Sequence, residues 1–105
     1  MARNSKKWSA IEDTGFAGHN RKLAVTGEVA THSGAERAVL VRAEPQGFNP
    51  SILILDLSIE SDGVGTAVEG WTKAVYEEAV SHGEFKQVQI RGEVEVLIDV
   101  EVVIA

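Results

Sequence analysis

Three histidines, sixteen carboxylates and no cysteine are the side chains from which this 105-residue chain could build a reactive or metal-binding centre. Without Cys there is no thiolate nucleophile, no disulfide framework and no Cys-based zinc site. His19, His32 and His82 each stand within two residues of a Gly, which reads as three turns. If consecutive strands run up and down, His32 sits at one end of the fold and His19 and His82 at the other, so three ligands do not converge. His-x-His and His-Glu-x-x-His spacings are both missing, and no metal is expected. Glu93, Glu95, Asp99 and Glu101 read as sharing one strand face with neighbours about 7 Å apart, a spacing that suits a calcium ion or an acid and base pair. The plainer reading is a solvated face whose charge discourages edge-to-edge aggregation. Asp56, between Leu55 and Leu57, is the carboxylate most prone to partial burial, with solvent or an Arg as its ordinary partner. There is no Gly-x-Ser-x-Gly elbow, and Asp62-Gly63-Val64-Gly65 lacks phosphate-loop or EF-hand spacing. An enzyme built on Asp56 or Glu60 is therefore the weakest reading; no catalytic residue, metal or cofactor is expected.

Binding is the stronger prospect. Phe48 and Asn49 lie in Pro45-Gln46-Gly47-Phe48-Asn49-Pro50, a Pro-bounded loop that could hold an aromatic anchor rigid at low entropic cost. The competing and preferred reading folds Phe48 back as a plug on the core, because a domain with only six aromatics uses most of them in packing. Trp71 is open to the same two readings. Leu97 and Val103 interrupt an otherwise acidic strand face, so either a twin subunit or foreign strand pairs there, or the chain's own N-terminal segment covers it.

The elements that must position these residues read as strands. From Val88 to Ile104 an apolar residue falls at nearly every even position, the period of a strand with one buried face. Residues 21–31, 36–44 and 51–60 read as three further strands between turn signals, and Ile52-Leu53-Ile54-Leu55 is apolar on both faces, as in a strand covered on each side. Because the even-position pattern survives Gly92, a long strand bent there and passing between two layers is preferred over a hairpin with a three-residue loop. Thr66 to Gly83 is ambiguous: Thr66-Ala67-Val68-Glu69 fits a capping box and Val68, Trp71, Val75 and Ala79 recur at helical spacing, whereas Gly70, Thr72, Val75 and Tyr76 favour a strand.

Length and composition bound the rest. One domain over residues 1–105 is expected, burying roughly two-thirds of its unfolded surface, with 1–20 an N-terminal segment and loop. Residues 1–22 carry five basic groups against two acids and residues 23–105 five against fourteen, so the body is acidic and repels phosphate backbones. No nucleic acid is expected, and the basic start reads as a weak patch or a solubilising tail. No apolar stretch reaches membrane-spanning length and no signal peptide is read, which places the chain in the cytoplasm as an expectation.

Trp8, Leu23-Ala24-Val25-Thr26-Gly27-Glu28-Val29, the Pro45 to Pro50 turn leading into Ile52-Leu53-Ile54-Leu55-Asp56-Leu57, and Val75-Tyr76-Glu77-Glu78 before Phe85 and Val88-Gln89-Ile90 together resemble a group of small uncharacterised bacterial all-β proteins. That group shares a Pro-Gln-Gly-(Ile/Phe)-Asn-Pro turn and a Val-x-Tyr-Glu-Glu segment, and the resemblance covers most of the chain. It implies a β-hairpin around Thr72 to Glu78, where this chain departs in having Trp71 and Ala74, and it implies no activity. The expected fold is all-β, a small immunoglobulin-like antiparallel sandwich of five to seven strands, with an α+β fold carrying one helix at about 67–81 as the alternative. The expected function is a non-catalytic binding or self-assembly module working through protein contacts, as a homo-oligomer or with a protein partner through the C-terminal strand. A small-ligand or carbohydrate-binding module using Phe48 or Trp71 is the alternative.

Overall fold

The computed structural model describes residues 4–13, 21–61, 63, 69–81 and 83–103. They form seven strands: β1 (Ser5–Asp13), β2 (Lys22–Thr31), β3 (Glu36–Arg42), β4 (Ile52–Ser61), β5 (Gly70–Ala79), β6 (Gln87–Gly92) and β7 (Val96–Val103). Successive strands run alternately up and down, because the parallel pairs among the described residues, β1 with β7 and β4 with β6, join odd to odd and even to even. The spatial order β3-β4-β6-β7-β1-β2-β5 makes one sheet, nearly closed into a barrel with β3 and β5 on either side of the seam. The fold is all-β, and an immunoglobulin-like sandwich is a finer description than this strand order supplies.

The interior follows from period-two alternation. Leu23, Val25 and Val29 of β2, Leu53, Leu55 and Leu57 of β4, and Val88 and Ile90 of β6 are all at most 2% exposed, each burial contributing about 1.5–3 kcal/mol. Gly27 occupies the inward position between Val25 and Val29 because the Trp8 ring fills the space, and a Cβ there would run into Trp8 Cε3. Trp8 reaches that place through a bulge in β1, where the register shifts between Lys6 and Ser9 and Lys7 takes φ 56°.

One ambiguity is decided and two expectations change. Residues 70–79 are strand, pairing with β2 from Gly70↔Thr31 to Ala79↔Lys22. That pairing overrides the helical spacing, and the helix at about 67–81 is not formed over the described part of that range. Gly92 ends β6 instead of bending a continuous strand. The chain turns through Glu93, Val94 and Glu95 and returns as β7, with Ile90 opposite Val96 and Val88 opposite Ile98, so a three-residue loop preserves the parity. Glu93 and Glu95 therefore lie in a turn and do not share a strand face with Asp99 and Glu101. Finally, residues 5–13 of the expected N-terminal loop segment form β1, which pairs with β7. The change of neighbour expected at Gly92 occurs within β7, whose residues 96–99 pair with β6 and 100–103 with β1.

Candidate functional site

Strand direction sorts the candidate residues by end. Phe48 and Asn49 lie in the β3–β4 loop, at the end where β1, β5 and β7 finish; Trp71 opens β5 and Leu97 opens β7, at the other end. Trp71 and Leu97 face outward on strands separated by β1 and β2. Val103 pairs through its backbone with Asp13 at the close of β7, and its side chain lies outside what is described. The five residues do not form one site. β7 is laddered to β6 along 96–99 and to β1 along 100–103, and its outer face carries Leu97.

The β3–β4 loop is built from its own side chains. After β3 ends, the Gln46 amide continues its ladder along β4: Nε2 donates to Ile54 O at 2.9 Å and to Ala43 O at 2.7 Å, and Oε1 accepts from Ile54 N at 2.8 Å. Gly47 passes so close to Ile54 that a Cβ would sit 3.0 Å from its Cδ1, and this cover keeps outward-facing Ile54 at 8% exposed. Asn49 Oδ1 accepts from Ser51 N at 3.0 Å and Ser51 Oγ at 2.7 Å, a side-chain turn that fixes the loop's exit. Ser51 O then accepts from Lys86 N at 2.8 Å, tying the loop to the β5–β6 connection. Phe48 alone among these residues holds nothing in place and is 108% exposed. The plug reading is overturned: Phe85, from the neighbouring connection, takes a core position at 6% exposed.

The same end of the barrel holds the charged groups that face inward. Glu12 is 1% exposed; its Oε2 accepts from Arg21 at 3.0 Å and its Oε1 from Gly83 N at 3.1 Å, pinning the β5–β6 connection to the end of β1. Across the seam, Arg42 of β3 donates to Glu78 Oε2 at 2.9 Å, and Tyr76 Oη donates to Glu78 Oε1 at 3.0 Å. Burial, the hydrogen bond to Glu78 and the Glu78 charge together raise the Tyr76 pKa above its ordinary value, against a lowering by Arg42. These contacts brace the loops. Asp56 pairs with Arg91 at 2.6 Å and Glu60 with Arg37 at 3.4 Å, both on the solvated outer face. Among the described residues no three metal-ligating side chains gather; His19 and His82 lie outside those residues.

Gln46, Glu12 and the Arg42–Glu78 pair were not legible as site residues. Glu12 carried a signal, since it shares parity with Ala10 and Trp8, but apolar Ile11 at the opposite parity blurs that alternation. No family model, curated protein or solved structure matches the chain.

Proposed function

We propose that the protein is a non-catalytic binding module that engages a protein partner through Phe48, with the nearly closed barrel serving as a sandwich-like scaffold for the loop. The observation that carries this is the contrast inside one loop: Gln46, Gly47 and Asn49 are each committed to fixing the backbone, while Phe48 is fully exposed. A large aromatic held that way presents about 150–250 Å² of buriable surface, and the ordering cost has already been met by the fold. Aromatic side chains are enriched in protein interfaces for this reason.

The test is site-directed photocrosslinking. A benzophenone amino acid at position 48 is expected to yield a discrete protein adduct in cell extract that unlabelled protein competes away and that a probe at Ser58, on the exposed outer face of β4, does not yield. Phe48→Ala should lose the competition while its urea unfolding midpoint stays within error of the parent. Identical adduct patterns from positions 48 and 58 would sink the reading.

A further inference from the structure

We infer that a pocket beside Trp71 binds one neutral, gluco-configured pyranose unit of a saccharide, with the indole as the stacking surface and Asn4, His32 and Glu69 as hydrogen-bonding groups at its rim. The inference stands apart from the Phe48 reading, because Trp71 opens β5 at the end of the barrel opposite the β3–β4 loop.

Strand register assembles the pocket. Trp71 lies opposite Ala30 of β2. Ala30 N donates to Asn4 O at 2.9 Å, so Asn4, Ala30 and Trp71 form one row from the start of β1 across β2 to β5. One step further toward this end of the barrel, past the Thr31↔Gly70 pair, His32 follows β2 and Glu69 precedes β5. A pocket of about 400 Å³ opens among these residues, which is within the range that holds small ligands.

The rim is held by its backbone and open in its side chains. Asn4 is tied through its carbonyl, and His32 N donates to Glu36 Oε1 at 2.6 Å in the turn after β2. Among the described residues, no hydrogen bond or ion pair engages the Asn4 amide, the His32 imidazole or the Glu69 carboxylate. Asp56, Glu60 and Glu28, by contrast, are each taken up by an Arg or a Lys.

Charge selects the kind of ligand. Lys6 stands opposite Glu28, in the row on the far side of Trp71 from His32 and Glu69. Its Nζ lies 4.1 Å from the indole centroid, so the cation that the negative ring face attracts is already in place and a second one is repelled. Glu69, on a chain of net charge −6, disfavours an anion. A neutral ligand with an apolar face and a polar edge satisfies both. A pyranose offers the ring its polarised C–H hydrogens. In the gluco configuration its hydroxyls are equatorial and point outward around the ring edge, toward an amide that donates and accepts, an imidazole that can do either, and a carboxylate that accepts. A flat ligand without such an edge would desolvate those three groups and leave them unpaired.

Nitrogen-resolved NMR of the full chain, titrated with methyl β-glucoside, tests this. The two tryptophans give two indole N–H signals, and Trp71→Phe removes one of them and so assigns both. The glucoside is expected to shift the Trp71 indole and the amides of Ala30, Thr31 and His32 saturably, and to leave the Trp8 indole in place. Read from those amides, Trp71→Ala should weaken the glucoside about tenfold or more, and Trp71→Phe less, because a stacking face is kept. Asn4→Ala with Glu69→Gln should weaken it about tenfold, since the hydroxyls lose their partners. Amides outside the pocket should match the parent in every variant, which shows that each is folded. Choline, a cation of similar size, should move none of these signals. No saturable shift with the glucoside, parent-like affinity in Trp71→Ala or in the rim variant, or choline taking the pocket in place of the glucoside would each overturn the inference.

Discussion

Gln46 turns a loop into a platform by inserting its amide between Ala43 and Ile54 at the end of the β3–β4 ladder. Its amide replaces a peptide group, donating to and accepting from Ile54 as a neighbouring strand would. Gln46→Ala would leave the Ile54 N–H without this partner and weaken the cover over its side chain. A cost of about 1–3 kcal/mol is expected in urea unfolding, with raised amide exchange at Ile54. Unchanged exchange there would mean that the loop is held by Asn49 and Ser51 alone. The Pro-Gln-Gly-Phe-Asn-Pro segment announced a turn from its composition, because Pro and Gly act on the local backbone. The direction of Phe48 was not legible in the same way, since it depends on Gln46 engaging a strand backbone eight residues on and on Phe85 having taken the core position.

The strands themselves were largely readable where alternation is unbroken, as in Leu23, Val25 and Val29 or Leu53, Leu55 and Leu57. Reading stayed ambiguous where local pattern and long-range pairing disagree. Val68, Trp71, Val75 and Ala79 fit a helix, but a ten-residue ladder to β2 decides for strand, and propensity carries no information about partners 39 to 57 residues away. The seam is likewise invisible locally, since Arg42 and Glu78 meet only because the sheet curls. Tyr76 reports on that seam, and as the only tyrosine it can be titrated without ambiguity by tyrosinate absorbance. Its midpoint is expected above the ordinary 10.0 in the native protein and near it in urea. Since the folded form holds the proton more tightly, this group's contribution to stability is present below pH 10.0 and is lost as pH rises from there through the folded midpoint. Glu78→Gln removes the carboxylate charge and should lower the native midpoint; an unchanged midpoint would show that burial alone sets it.

At the scale of the whole molecule, closure rests on the two distant ends of the sheet-forming chain. β1 pairs with β7 from Ala10↔Val100 to Asp13↔Val103, and without that ladder the sheet falls into β3-β4-β6-β7 and β1-β2-β5. Each piece would carry a fresh edge of unpaired amides and carbonyls, a template for aggregation. Such non-local pairing also places folding in the millisecond-to-second range, because loop closure must precede the contacts that stabilise it. A chain ending at Asp99 separates the two ladders of β7, because every β6 partner from Val96 to Asp99 is kept and every β1 partner is removed. Loss of a cooperative urea transition is expected, together with concentration-dependent aggregation and loss of exchange protection from Ala10 to Asp13, including around the buried Glu12. If the shortened chain instead unfolds at the parent's midpoint with those amides still protected, β2 alone holds β1 and the near-closure of the barrel contributes nothing to stability.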